Sequence, residues 1–99
     1  MVAALAWAVD MGVAPRGLGN ARVAMRDMQA ATLANEKSCF RYEWYRASTP
    51  QTYILLEDWA DLAAAQEHLK APHIVSAVEK LLPLVPGREI PKAVRITKL

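Results

Sequence analysis

The chain has one cysteine, one phenylalanine and only four glycines in 99 residues. A lone thiol, Cys39, cannot close an intramolecular disulfide, so no disulfide framework holds this fold, and a reducing compartment, by default the cytoplasm, is expected. Long apolar runs are missing too. The longest stretch without a charged side chain is residues 47–56, far short of the roughly 20 residues a spanning helix needs, so no membrane association is expected. The apolar start, residues 1–9, carries no basic residue and meets Asp10, which is the form of a first strand and not of a secretion signal. Neither sign of charge dominates: 12 Lys and Arg against 10 Asp and Glu leave +2. The signs are interspersed along the chain, so no patch for a polyanion forms and nucleic acid is not an expected partner.

What is present is apolar surface: 54% of the residues, although 18 of them are alanine. Deep burial must therefore come from a smaller set of Leu, Val, Ile, Met and aromatic side chains. The length allows one domain, residues 1–99, and excludes a multidomain enzyme. Such a chain buries roughly 65% of its unfolded surface, a thin margin that a partner can widen.

Residues 3–9 read as a strand closed by Asp10, Gly12 and Pro15. From Pro15 or Leu18 to Ala34, the recurrence of Leu18, Ala21, Met25, Met28 and Leu33 predicts an amphipathic helix, with Gly17 and Gly19 weakening its first turn. Residues 39–46 alternate as a strand, which sets Phe40, Tyr42 and Trp44 on one face and Cys39, Arg41, Glu43 and Tyr45 on the other. Ser48, Thr49 and Pro50 make a turn into a second strand over 52–59. Its centre, residues 53–56, is apolar on both faces. Asp61 stands as an N-cap before a stripe of Leu62, Ala65 and Leu69 that stops at Pro72. A second helical piece follows from His73, with Ile74, Val78, Leu81 and Leu82 in register until Pro83. After Pro86 and Gly87, residues 89–98 read as a last strand, with Val94 and Ile96 opposite Arg95 and Thr97.

The order strand, helix, strand, strand, helix, strand is the split βαβ arrangement, so the fold class is α+β: a ferredoxin-like sandwich with a four-stranded antiparallel sheet. Two helices can cover only one face of such a sheet. The apolar run at 53–56 and the aromatics of the preceding strand predict surface on the other face as well, and a homodimer through the sheet faces would cover it.

Three stretches carry a resemblance: residues 36–44 (EKSCFRYEW), 53–61 (YILLEDWAD) and 68–73 (HLKAPH). The chain resembles the antibiotic biosynthesis monooxygenase domains of the dimeric α+β barrel superfamily. That family's pattern places an acid, a small residue, Cys, an apolar residue, a variable residue and Tyr on one strand, Glu-x-Trp on the next, then His-Leu with Pro-His after the helix. Ser38 stands where glycine is usual. Residues 2–9 hold no Asn and residues 62–82 no Trp, which separates the chain from the haem-degrading branch. The resemblance implies cofactor-independent oxygenation of a quinol-like or polyketide-like aromatic. No cofactor is then expected, because the deprotonated substrate itself supplies the electron to oxygen. An isomerase of the same fold and a non-catalytic small-ligand-binding dimer are the alternatives.

His68 is the candidate catalytic residue, since an imidazole beside a cleft between helix and sheet can take a phenolic proton near neutral pH. Its other reading is a group that caps or orients the loop before Pro72. Tyr42, Tyr53, Trp59 and His73 are the candidate substrate-binding residues. Either tyrosine hydroxyl can donate to a quinone-like oxygen or simply reach solvent at the sheet rim, and Trp59 can serve as pocket wall or structural anchor. A metal is not expected: His68 and His73 lack a third ligand at useful spacing, and Asp61 or Glu67 would have to be recruited. Cys39, flanked only by Lys37 and Arg41, lacks a base to make it a nucleophile. The Gly17-Leu18-Gly19 stretch has Arg22 where a dinucleotide fingerprint needs its third glycine. The aromatic strand lacks the Gly-bearing signature of an RNA-stacking sheet.

Overall fold

The computed structural model describes residues 2–12, 18–49, 51–89, 91–97 and 99. The expectations for Pro15, Gly17 and Pro50, for the ends of the last strand at Ile90 and Lys98, and for the side chain of Leu18 lie outside the described residues. Strand β1 (Ala3–Asp10) is followed by α1 (Leu18–Asn35), β2 (Cys39–Arg46), β3 (Thr52–Trp59), α2 (Leu62–His68), α3 (Pro72–Leu81) and β4 (Val94–Ile96). The strands form one open antiparallel sheet in the order β2-β3-β1-β4, the ferredoxin-like α+β arrangement expected from the element order. Asp61 caps α2 as its side-chain type predicts, its Oδ1 accepting from the Ala64 N–H at 2.8 Å. Pro72 opens α3 at a position where its missing N–H costs nothing, and Ala71 before it is extended, as a residue preceding proline must be.

The core lies between the helices and one sheet face. That face carries Ala3 and Leu5 of β1, Tyr53, Leu55 and Trp59 of β3, and Tyr42 of β2, all buried. The opposite face carries Ala4 and Ala6, Ile54 and Leu56, Val94 and Ile96, brought side by side by the pairings Ala4↔Ile96, Ala6↔Val94 and Ala6↔Leu56. In the single chain these residues are half-buried or exposed.

Several side chains depart from the periodicity. The alternation over residues 39–46 is broken by a bulge between Cys39 and Arg41, so Cys39 pairs with Trp59 and Arg41 with Asp58, leaving Phe40 as the extra residue. Phe40 is thus exposed while Cys39 joins Tyr42 in the core. The aromatics Tyr42 and Trp44 consequently line the helix side of the sheet and not the open face. In α1 the buried set is Ala21, Ala24, Met25, Met28 and Thr32, and Leu33 is exposed. In α2, Leu62 and Leu69 are exposed and Ala65 and His68 point inward. The last strand is only three residues long. The segment before it holds two short 3-10 turns, Leu82–Leu84 and Pro86–Arg88, in which Pro83 and Pro86 supply no N–H to a ladder. Ser38 needs no left-handed backbone: among the described non-glycine residues only Arg88 has a positive φ. No described helix is long and apolar enough to cross a membrane.

Candidate active site

Glu36 sits at the corner between α1 and β2, where its N–H donates to the Thr32 carbonyl at 2.9 Å and its own carbonyl accepts from the Cys39 N–H at 3.0 Å. The backbone is pinned on both sides. His68 is the last residue of α2 and His73 the second of α3, so the tight Ala71-Pro72 corner brings their rings to 6.2 Å. Both turn to Glu36: its Oε2 lies 2.6 Å from His68 Nδ1 and 2.8 Å from His73 Nε2. A carboxylate oxygen only accepts, so each of these ring nitrogens carries the proton and donates it. For neutral His68 this leaves Nε2 with a free lone pair.

The His68 ring is held between aromatics, 4.6 Å from Trp59 and 5.3 Å from Tyr42 by centroid, and is 3% exposed. Burial lowers its pKa below the ordinary imidazole value, against the opposing pull of the Glu36 hydrogen bond and charge, so the neutral base form is favoured. Nε2 lies 4.0 Å from Oε1 of Glu57, a second buried carboxylate in the middle of β3. Burial raises the Glu57 pKa, and indole donors counter it: Trp59 Nε1 donates to Oε1 at 2.8 Å, while Trp7 Nε1 faces the same group without a hydrogen bond of its own.

His68, Glu57 and Tyr42 meet at a half-enclosed cavity of about 100 Å³ between the sheet and α3. The rest of its wall is apolar, including Trp7, Val9, Trp44 and Leu55 from the sheet and Ile74, Val78 and Leu81 from α3. Burial, together with the Glu57 charge, raises the Tyr42 phenol well above its usual range, so Tyr42 stays a neutral hydroxyl. The Trp7 and Trp44 indole N–H groups are both buried and unpartnered.

Four of the sequence-derived candidates are therefore neighbours. His68 and Tyr42 line the cavity, Trp59 braces His68 from below, and His73 reaches the site through Glu36. Tyr53 is not among them: its hydroxyl accepts from Arg22 Nε at 2.9 Å in a separate hollow beside Arg26 and Arg46. The two histidines, expected to lack a third partner, share Glu36, 32 residues before His68, and neither Asp61 nor Glu67 is involved. Glu57 had a sequence signal, a carboxylate in the inward register of Tyr53, Leu55 and Trp59. Glu36 had none beyond its place in the resemblance.

The sequence profile described as antibiotic biosynthesis monooxygenase matches residues 13–80. No curated protein matches the sequence. Among solved structures, a Caulobacter crescentus protein named for the same family superimposes with a TM-score of 0.84 at 20% identity, covering 99% of this chain and 90% of its own. Rv0793 from Mycobacterium tuberculosis gives 0.82 at 18% identity, covering 100% and 96%. A conserved protein from Methanosarcina mazei gives 0.84 at 17%, covering 100% and 94%. At these identities the structures share the fold.

Proposed function

We propose, on the premise that this chain belongs to the antibiotic biosynthesis monooxygenase family, that it oxidises a small single-ring phenol or quinol with dioxygen, using His68 as the base. The observation that carries this reading is the line from the Glu36 carboxylate through His68 Nδ1 to a free Nε2 on the wall of an apolar cavity. The carboxylate fixes the tautomer and orientation of the ring and stabilises the imidazolium that forms when Nε2 takes the phenolic proton. The phenolate then gives an electron to dioxygen. The two radicals join at a ring carbon, and the resulting hydroperoxide loses water to leave a quinone, so that a phenol and O2 become a quinone and H2O. The proton held on His68 returns to the departing oxygen. Apolar walls keep water from the radical pair. Tyr42, on the cavity wall, is the donor available to a substrate oxygen.

Size favours a single ring over a fused polyketide. A dry cavity of roughly 150 Å³ accommodates benzene, and this one is about 100 Å³ and open on one side. The working unit is a homodimer joined through the open sheet face, where Ala4, Ala6, Ile54, Leu56, Val94 and Ile96 form a contiguous apolar surface. The test is an oxygen electrode with a panel of single-ring hydroquinones and phenols. Uptake of one O2 per quinone formed is expected. Binding of these compounds without uptake would replace the oxygenase with a ligand-binding protein.

A further inference from the structure

We propose that Glu36, His68 and His73 form a binding site for a divalent cation of the zinc class. Each residue offers one ligand atom, and the three atoms lie within 4.8 Å of one another. They come from three separately anchored places: the corner after α1, the end of α2 and the first turn of α3. Two imidazoles and one carboxylate suit zinc and its neighbours cobalt, nickel and copper, whereas magnesium and calcium take oxygen donors. The shared oxygen now holds the two rings at 2.6 and 2.8 Å through their N–H protons. A cation takes the place of those two protons, and each imidazole moves its proton to its other ring nitrogen. Zinc bonds of roughly 2.0 to 2.1 Å in tetrahedral geometry set the ligand atoms about 3.3 to 3.4 Å apart, so each ring nitrogen moves off the shared oxygen while the two nitrogens, within 4.8 Å of each other, draw together. His68 is locked between Trp59 and Tyr42, but the side chains of Glu36 and His73 are half-buried at the surface, and these two side chains can give. Three protein ligands leave a fourth position for water.

Occupancy has a consequence for the cavity. With Nδ1 on the cation, Nε2 carries the proton and faces the cavity as a donor, so the base is lost. The binding itself stands apart from the reading of His68 as a base; this consequence rests on it.

The experiment is a competition of tag-free protein against a chromophoric chelator for zinc, run on the unmodified chain, His73→Ala and Glu36→Gln, with circular dichroism confirming that each is folded. One zinc per chain is expected, weakened at least roughly tenfold in both variants, with no competition from magnesium. Zinc should raise the melting temperature of the unmodified chain and not that of His73→Ala. No competition by the unmodified protein at tens of micromolar, or equal binding by folded His73→Ala, would overturn the site. Zinc bound one per chain with undiminished oxygen uptake would keep the site and remove His68 as the base.

Discussion

At the residue scale, burial sets the chemistry of each titratable group. Cys39 sits in the core with its thiol donating to the Arg41 carbonyl at 3.3 Å, and burial, with the charges of Glu57, Glu36 and Asp58 adding to it, pushes its pKa up to about 11. The nucleophilic thiolate is the form that has lost its proton, so its population grows only as pH approaches that value. Iodoacetamide should therefore modify folded protein far more slowly than urea-unfolded protein at pH 8.5, as mass spectrometry can follow; equal rates would show an accessible, ordinary thiol. Trp59 is 1% exposed, donates to Glu57 and packs on His68. Trp59→Ala should cost about 3 to 5 kcal/mol in denaturant unfolding, and it leaves Glu57 without its donor. Unchanged stability with lost ligand binding would make the indole a pocket wall alone.

At the element scale, the starts of α2 and α3 and the β2-β3 pairing were legible because their signals are local. Asp61 before an alanine-rich run is a cap wherever the rest of the chain goes, and Asp61→Ala should lower stability by about 1 kcal/mol. A loss within error in a melting experiment would mean that α2 is held by packing alone. What could not be read from spacing was the consequence of contacts made far along the chain. Alternation places Phe40 with Tyr42, but pairing Cys39 with Trp59 and Arg41 with Asp58 leaves Phe40 surplus, and nothing in the residues from 39 to 46 announces the bulge. The stripe of α2 was misplaced for a similar reason. Leu62 and Leu69 are the more hydrophobic choices, yet Ala65 and His68 face the sheet. Ala65 is small enough for close approach, and His68 exchanges water for Glu36, Trp59 and Tyr42. His68 and Tyr42 were identifiable as candidates by residue type. The meeting of His68 with Tyr42, and with Glu36 32 residues upstream of it, is a product of the tertiary fold.

At the scale of the whole molecule, the ferredoxin-like sheet explains both the cavity and the surface left over. Helices on one face enclose His68 and Glu57, while the other face presents alanine, isoleucine, leucine and valine side chains to solvent in a single chain. A contiguous apolar surface of this kind is what the proposed homodimer would cover. Light scattering should accordingly give about twice 10.9 kDa, and a persistent monomer at high concentration would leave the sheet's open face without explanation. In the proposed function, His68, oriented by Glu36, removes a proton from a substrate in the cavity. The most direct measurement compares oxygen uptake by the unmodified chain and His68→Gln with one hydroquinone at saturation and neutral pH, each variant shown to be folded and to bind the ligand. A fall of roughly 10²- to 10⁴-fold is expected, the usual contribution of a positioned base. Equal rates in the two proteins would contradict it.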